Sequence, residues 1–172
     1  MKRVLVIGSG GSGKSTMARR LAERTGLPLV HLDALYWRAG WQGTPKQEWA
    51  QTVEQIIQQN AWVMDGNYGG TLERRLEAAD TVIFLDLSRW VCLGRVVKRR
   101  IQFHGRSRPD MAQGCSEQLS WEFLRWIWSY PKERRPRLLK KLEKVARQKN
   151  VVILHSPAEV EQFLASLPSH TV

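Results

Sequence analysis

The chain has 172 residues, 42% of them hydrophobic and 25% charged, which fits one folded domain over residues 1–172 and excludes a disordered or fibrous protein. No apolar run reaches the roughly 18 residues of a membrane span, and the first apolar run is too short for a signal peptide. The two cysteines lack the spacing of metal ligands and are expected to be reduced thiols. We therefore predict a cytoplasmic protein with no membrane partner.

The charge balance favours anionic partners. There are 27 Lys and Arg residues against 16 Asp and Glu, a formal net charge of +11. Phosphates, nucleotides and nucleic acids are all candidate ligands of such a surface. Between Arg89 and Arg108 seven residues are basic and none is acidic, so anion-binding side chains are expected there.

Five short apolar runs alternate with helix-like segments along the chain. The predicted strands are residues 2–7, Leu29–His31, Ala61–Met64, Thr81–Leu85 and Val151–Leu154. Helices are predicted at about Lys14–Arg24, from a capping box at Thr44 to Asn60, at Leu72–Ala79, from Ser88 to Gln102, on both sides of Pro131, and after Ser156. This alternation predicts an α/β fold, a three-layer, doubly wound, five-stranded parallel sheet whose ligands bind at the carboxyl ends of the strands.

A glycine-rich loop follows the first predicted strand. Residues 8–15 read Gly-Ser-Gly-Gly-Ser-Gly-Lys-Ser, which satisfies the phosphate-binding pattern G-x-x-x-x-G-K-[ST] between a strand and a helix. Backbone N–H groups and the helix N-terminus attract phosphate, the lysine reaches the β- and γ-phosphates, and the serine hydroxyl ligates Mg²⁺. We therefore predict ATP and Mg²⁺ as cofactors, with nucleotide contacts from Gly8, Ser9, Gly10, Gly11, Ser12, Gly13, Lys14, Ser15 and Thr16.

The same loop also satisfies G-x-G-x-x-G, the pattern of dinucleotide-binding folds. Asp33 follows at about the distance at which such folds place the acid that binds the ribose. A dinucleotide loop, however, has no use for Lys14 and Ser15 directly after its last glycine, whereas nucleoside triphosphate chemistry needs both. The phosphate-loop interpretation is therefore favoured.

Two predicted strands end in an aspartate that could serve the metal. A magnesium-binding acid is expected at the end of a strand beside the first strand. Asp65 is favoured over Asp86 because Gly66 permits close approach of a ligand and because Asn67 and Tyr68 add polar groups. Ser15 and Asp65 are thus the predicted metal ligands, and residues 66–68 are predicted to contact the substrate.

Asp33 ends the second predicted strand and is assigned to the same edge of the sheet. It could support the metal's water ligands, bind the acceptor, or act as a general base for an acceptor hydroxyl. Trp37 and Trp41 flank a short loop just after it, where an acceptor ring could stack. The remaining aromatic cluster, Trp121, Trp126 and Trp128, has helical spacing and is predicted to pack in the core. The four histidines show no ligand or triad pattern.

The order of these motifs resembles the adenylate-kinase-like P-loop kinases, and most closely the bacterial family called DNA topology modulation proteins. The segments that carry the resemblance span nearly the whole chain: Gly8–Thr16, His31–Arg38, Trp62–Tyr68, Arg106–Asp110 and Phe123–Trp128. The resemblance implies the strand order 2-3-1-4-5, which places Asp65 beside the phosphate loop. It also implies transfer of the ATP γ-phosphate to a small-molecule or nucleotide acceptor.

The resemblance further implies an arginine-rich lid over about residues 95–125. Arg95 and Arg99 match the arginine pattern of the helix that enters such lids, and Arg106 or Arg108 and then Arg125 would supply the returning arginines. Guanidinium groups suit this role because they neutralise charge on the moving phosphoryl group. The predicted catalytic residues are accordingly Lys14, Asp33, Asp65, Arg99, Arg108 and Arg125, with Arg95 and Arg99 also contacting ATP.

One departure from the family's pattern leaves the acceptor open. Adenylate kinases carry Asp-Gly-Phe-Pro-Arg, whose arginine grips the acceptor phosphate, whereas residues 65–69 here are Asp-Gly-Asn-Tyr-Gly. Arg38, Arg74 or Arg75 could replace the missing arginine, and Arg38 is included in the predicted substrate site with Asp33. A hydroxyl-bearing acceptor, as in shikimate- or gluconate-type kinases, is equally open.

A different function class is kept as the alternative. The basic surface could bind DNA, making the protein a nucleotide-dependent regulatory module. The sequence contains no helix-turn-helix, zinc-finger or homeodomain pattern, and phosphate-handling lids are basic for their own reasons. The kinase interpretation is therefore the leading prediction.

Overall fold

The computed structural model describes residues 1–105, 108 and 110–168. Within that part of the chain the strands are β1 (Arg3–Gly8), β2 (Leu29–His31), β3 (Trp37–Arg38), β4 (Gln42–Gly43), β5 (Trp62–Asp65), β6 (Thr81–Leu85) and β7 (Asn150–Leu154). The α-helices are α1 (Lys14–Thr25), α2 (Leu32–Tyr36), α3 (Lys46–Ile57), α4 (Leu72–Ala78), α5 (Arg89–Gln102), α6 (Trp121–Glu133), α7 (Arg135–Val145) and α8 (Pro157–Ser166).

The central sheet is parallel and has the strand order β2-β5-β1-β6-β7. Counted over the five predicted strands, this order is 2-3-1-4-5, so the predicted fold class is confirmed. Val4 to Ile7 of β1 are at most 1% exposed, because helices cover both faces of the sheet. His31 pairs with Asp65 and Val6 pairs with Asp65 from the other side, which brings the carboxyl ends of β2, β5 and β1 together.

Alternate residues of the strands pack in two separate hydrophobic clusters, one on each face of the sheet. Leu5, Met64 and Phe84 pack with residues of α3, α4 and α7 on one face. Val6 and Ile83 belong to the cluster on the other face, which includes residues of α1, α5 and α8. This alternation produces the predicted three-layer arrangement.

The sequence signals for N-caps at α3 and α8 differ in whether the capping hydrogen bonds form. At α8 the Ser156 hydroxyl accepts from the Glu159 N–H as in a capping box, but the Glu159 carboxylate accepts from the N–H of His155, one residue before the N-cap. At α3 the predicted box does not form, because the Thr44 hydroxyl donates instead to the Tyr36 carbonyl at 2.7 Å. The helix therefore begins at Lys46 and ends at Ile57, before the predicted Asn60.

Two features between β2 and α3 were not predicted from the sequence. The short helix α2 follows β2 directly, and β3 and β4 then pair as an antiparallel hairpin. The aromatic prediction for α6 was partly wrong, because Trp121 is 75% exposed and Trp128 45% exposed. In the described ranges no helix is both long and apolar enough to cross a membrane.

Candidate active site

The phosphate loop lies at the carboxyl end of β1 and is pressed against α5. Gly11 has a φ of +75°, and a Cβ there would lie 2.3 Å from the Cys92 carbonyl oxygen, so only glycine fits. The Lys14 ammonium lies inside the loop and donates to the Ser9 carbonyl at 2.9 Å. Burial lowers the pKa of Lys14, while the nearby charges of Asp33 and Asp65 oppose that shift. The loop is thus a turn of small residues around one half-buried cation.

Ser15 and Asp65 meet at the foot of this loop. The Ser15 hydroxyl donates to Asp65 Oδ2 at 2.7 Å, and Asp65 is only 4% exposed. Magnesium in nucleotide sites is held by one or two protein oxygen donors, with phosphate and water oxygens completing its octahedron. This hydroxyl and this carboxylate therefore fit Mg²⁺ without a larger cluster of acids, and the described residues contain no such cluster.

His31 is a neighbour of Asp65 that the sequence analysis missed. Its Nδ1 lies 2.5 Å from Asp65 Oδ1, and it lines the same cleft. Burial alone would lower the pKa of His31, but the hydrogen bond to Asp65 and the charge of that carboxylate outweigh burial and raise it. The available signal was positional, since His31 and Asp65 end two strands that the strand order makes adjacent.

Asp33 and Tyr68 form a polar pair in the cleft. The Tyr68 hydroxyl donates to Asp33 Oδ1 at 2.6 Å, and both residues line the cleft with Asn67 and Gly66. Burial and the Asp33 carboxylate raise the pKa of Tyr68, so its hydroxyl stays protonated as a donor. One oxygen of Asp33 is therefore occupied by tyrosine, and Oδ2 is left to meet a ligand.

Arg75 holds the 66–68 segment from behind. It is fully buried and donates to the carbonyls of Gly66, Asn67 and Tyr68 at 2.9, 2.6 and 2.9 Å. Burial lowers the pKa of Arg75 to about 10. This arginine is structural and its guanidinium is used on backbone carbonyls, so it does not replace the missing phosphate-gripping arginine.

Arg38 and Arg74 do not reach the cleft either. Arg38 forms an ion pair with Glu48, and Arg74 pairs with Glu54 at 2.8 Å. Arg38 follows Trp37 on β3, and successive strand residues point to opposite sides. Because Trp37 lines the cleft, the hairpin directs Arg38 away from it, which corrects its placement in the predicted substrate site.

Three of the predicted arginines line the cleft opposite Asp33. Arg95 donates to the Ser12 carbonyl at 2.9 Å. Arg99 Nε donates to Glu117 Oε1 at 2.7 Å, and Arg108 Nε lies 2.7 Å from Glu117 Oε2. Arg108 also donates to Asp110 Oδ2 at 3.0 Å. Burial and the charge of Arg108 lower the pKa of Arg99, against the pull of Glu117.

Glu117 and Asp110 were not among the predicted site residues. Glu117 is only 3% exposed, which is unusual for a carboxylate and is explained by its two arginine partners. The sequence held a signal, because these are the first two acidic residues after the run of seven basic residues between Arg89 and Arg108. Packed arginines require counterions, and the next acids along the chain supply them.

Arg125 is not brought to the cleft. It lies on the exposed side of α6, whereas Phe123 and Trp126 of that helix line the cleft. A Cβ on Gly10 would lie 2.7 Å from the Phe123 ring, so this face of α6 is packed on the phosphate loop. The predicted role of Arg125 at the phosphates therefore conflicts with its placement. Arg106 lies outside the described residues.

The hairpin and the loop before α6 meet beside the cleft. The Gly40 N–H donates to the Gly114 carbonyl at 3.1 Å, and Trp41 Nε1 donates to the Ser116 carbonyl at 3.0 Å. Gly114 has a φ of +80°, and a Cβ there would lie 2.9 Å from the Ala39 Cβ. Trp41 and Trp37 thus form a wall of one continuous cleft of about 1300 Å³ that runs from the phosphate loop to Asp33.

Comparison with known proteins agrees with this architecture. Residues 4–87 match the family model described as ATPase family associated with various cellular activities (AAA). The structure is similar to a crystal structure of a gluconokinase from Sinorhizobium meliloti 1021, with 19% identity, a TM-score of 0.53, and coverage of 95% of this chain and 91% of that one. It is also similar to a sugar kinase from Janibacter sp. HTCC2649, with 18% identity, a TM-score of 0.51, and coverage of 96% and 93%.

These likenesses show the fold, an α/β P-loop NTPase fold whose structural neighbours are kinases. The finer resemblance to the DNA topology modulation family stays a prediction, as do the roles assigned to individual site residues.

Proposed function

We propose that this protein is an ATP-dependent kinase that transfers the γ-phosphoryl group to a small-molecule or nucleotide acceptor. One observation carries the proposal: the Ser15 hydroxyl and the Asp65 carboxylate meet at 2.7 Å beside Lys14, in a cleft that also contains Asp33. Phosphate-binding and acceptor-side groups thus share one enclosed space. That a gluconokinase and a sugar kinase are among the solved structures similar to this chain agrees with this assignment.

The phosphate side of the cleft positions and neutralises the triphosphate. Backbone N–H groups of residues 9–15 and the N-terminus of α1 would hold the β-phosphate. Lys14 would exchange the Ser9 carbonyl for phosphate oxygens. Mg²⁺, held by Ser15 and Asp65, would supply positive charge next to the β- and γ-phosphates. Arg95, the nearest of the lid arginines to the loop, would contact the same oxygens.

The acceptor side supplies a carboxylate where a hydroxyl nucleophile would sit. Asp33 Oδ1 is held by the Tyr68 hydroxyl, so Oδ2 is oriented for the acceptor O–H. As the acceptor oxygen attacks the γ-phosphorus, its proton passes to Oδ2 of Asp33 and the bond to ADP breaks. The indole walls of Trp37 and Trp41 would exclude water and pack against the acceptor body.

ADP release from Mg²⁺·ATP tests this function directly. We expect one pool of acceptors, drawn from nucleoside monophosphates, polyols and hydroxy acids, to stimulate release by the wild-type protein. For a hydroxyl-bearing acceptor, Asp33→Asn should lower the stimulated rate by about 10²–10⁴-fold, because the proton acceptor is lost. ATP affinity should change far less than the rate, because Asp33 acts on the phosphate loop only through its charge near Lys14 and Asp33→Asn removes a negative charge from that side of the cleft.

The matched control is Glu48→Gln, which removes a carboxylate near the hairpin but outside the cleft, where it pairs with Arg38. It should leave the stimulated rate unchanged. No stimulation of the wild-type protein by any pool, or equal rates for the wild-type protein and Asp33→Asn, would contradict the proposal as stated.

DNA binding through the basic surface is the weaker candidate. Many of the basic side chains are paired within the fold, in the ion pairs Arg20–Glu161, Arg38–Glu48, Arg74–Glu54, Arg135–Asp86 and Lys141–Glu73. We expect only weak association with a labelled DNA duplex, falling by about 0.9 log units in affinity per log unit of salt for each phosphate neutralised, as measured by fluorescence anisotropy. Tight binding that resists salt and requires ATP would instead favour a nucleotide-dependent regulatory module.

A further inference from the structure

Glu117 is the most deeply buried acid of the cleft that has no place in the function above. It comes from the loop before α6, is 3% exposed, and touches two arginines at once. Its Oε1 accepts from Arg99 Nε at 2.7 Å, and its Oε2 lies 2.7 Å from Arg108 Nε. A single carboxylate therefore joins a helix residue to a loop residue across one side of the cleft.

Both oxygens of Glu117 face the inner nitrogens of the guanidinium groups, with a hydrogen bond from Arg99 Nε and an ion pair to Arg108 Nε that lacks hydrogen-bond geometry. In the part of the chain that the structure describes, the two terminal nitrogens of Arg99 donate no hydrogen bond to the protein, and of the terminal nitrogens of Arg108 only Nη1 donates one, to Asp110. A guanidinium held at Nε keeps its outer N–H groups available, and that outer edge is the part that grips phosphate oxygens. Both arginines line the cleft.

We propose that Glu117 is a positioning residue that holds Arg99 and Arg108 together as one preformed receptor for the γ-phosphate. The proposal rests on the proposed function, in that the γ-phosphate is the group this receptor meets. Two guanidinium groups repel each other, so without a shared carboxylate they would separate and reach the phosphate only at an ordering cost. Glu117 removes that cost in advance by bridging their inner nitrogens.

The segment that carries Glu117 is itself fixed to the acceptor side. The preceding residue, Ser116, accepts from Trp41 Nε1 at 3.0 Å, and Gly114 accepts from the Gly40 N–H at 3.1 Å. The position of the carboxylate is therefore set by the β3–β4 hairpin as well as by the arginines. Because Glu117 is fixed both by the hairpin contacts of its segment and by the two arginines, it can set the positions of those arginines. Charge neutralisation alone would not require a fixed carboxylate.

The proposal can be tested because a positioning role and a purely charge-neutralising role for Glu117 predict opposite changes in triphosphate affinity. Glu117→Gln keeps the size of the side chain but removes its charge. If Glu117 only shields the arginines, the variant should bind triphosphate more tightly, because one negative charge leaves the cleft. If Glu117 positions them, triphosphate affinity should fall, because the receptor is no longer preformed.

The experiment compares the affinities of ADP and of the non-hydrolysable β,γ-imido analogue of ATP, both with Mg²⁺, by calorimetry. We expect Glu117→Gln to reduce the preference for the triphosphate by about tenfold, the size expected for one charged hydrogen bond. ADP affinity should stay within about twofold, because ADP lacks the phosphate that the arginine pair meets. In Arg99→Ala the same Glu117 substitution should have little further effect, because half of the receptor is already gone.

Asp110→Asn is the matched control, since it removes the same charge from the cluster but contacts Arg108 alone. It should change the triphosphate preference by less than about threefold. Equal loss of both affinities, an unchanged preference, or tighter triphosphate binding by Glu117→Gln would each overturn the proposal. Neither nucleotide needs to be turned over, so a failure of acceptor phosphorylation is seen separately, in the ADP-release assay of the wild-type protein.

Discussion

Replacing Lys14 by alanine should lower acceptor-stimulated ADP release on the order of 10³-fold. The Lys14 ammonium lies within the phosphate loop, 2.9 Å from the Ser9 carbonyl, and no other lysine lines the cleft in the described part of the chain. A positive charge aimed at the β- and γ-phosphates stabilises the charge that develops during transfer, so its loss affects the rate more than nucleotide affinity. Steady-state rates and calorimetric affinities, measured together, separate these two effects.

The control for this variant is Lys141→Ala, which removes an exposed lysine whose partner is Glu73. It should leave the rate unchanged, since exposed ion pairs contribute little. A Lys14→Ala protein that is folded and retains more than about a tenth of the wild-type rate would show that the reaction does not pass through the phosphate loop.

Replacing Arg75 by methionine should lower the free energy of unfolding by about 3–4 kcal/mol. Methionine keeps the apolar stem of arginine but lacks its guanidinium group, so the carbonyls of Gly66, Asn67 and Tyr68 would lose these donors. Burying the charged guanidinium is itself costly, which is why the pKa of Arg75 is lowered to about 10 and why the net loss is smaller than three bonds alone would give. Urea unfolding measures the difference.

Arg74 provides the matched control one position away. It is exposed and pairs with Glu54, so Arg74→Met should change the unfolding free energy by less than about 1 kcal/mol. Similar losses for both variants would mean that the buried hydrogen bonds of Arg75 are not what stabilises the segment after Asp65.

The fold and the phosphate loop could be predicted from the sequence because their signals are local. Val4–Ile7 and Val82–Leu85 are apolar runs long enough for buried strands, and the Gly-Lys-Ser spacing fixes which atoms face a phosphate. The meeting of Ser15 with Asp65 also followed, once the strand order placed two strand ends side by side. In these cases the position of a residue in the sequence is enough to predict its position in the fold.

The errors concern side chains whose direction is set by tertiary contacts. Arg38 was assigned to the substrate site as a replacement for the missing phosphate-gripping arginine, but a two-residue strand turns it outward, and no local signal marks such a short hairpin. Arg125 matched a family pattern, but the packing of Phe123 on the phosphate loop turns it toward solvent. Glu117 had a signal only in the charge balance of the preceding segment, which says that a counterion is needed and not which acid supplies it.

The bonds between the hairpin tip and the loop at Gly114–Ser116 also set how often that seam is open. The two N–H bonds contribute a net of about 1–3 kcal/mol together, and the Cys115 thiol donates a further bond across the seam to the Arg38 carbonyl at 3.2 Å, so the closed form should outnumber the open one by at least about 5-fold. An acceptor too bulky to enter from the nucleotide end can bind only to the open form of the seam. Its apparent affinity is then reduced by the ratio of closed to open forms. A small acceptor that enters beside the phosphate loop avoids this reduction. We therefore expect the seam to discriminate among acceptors by size, before any contact with Asp33 is made.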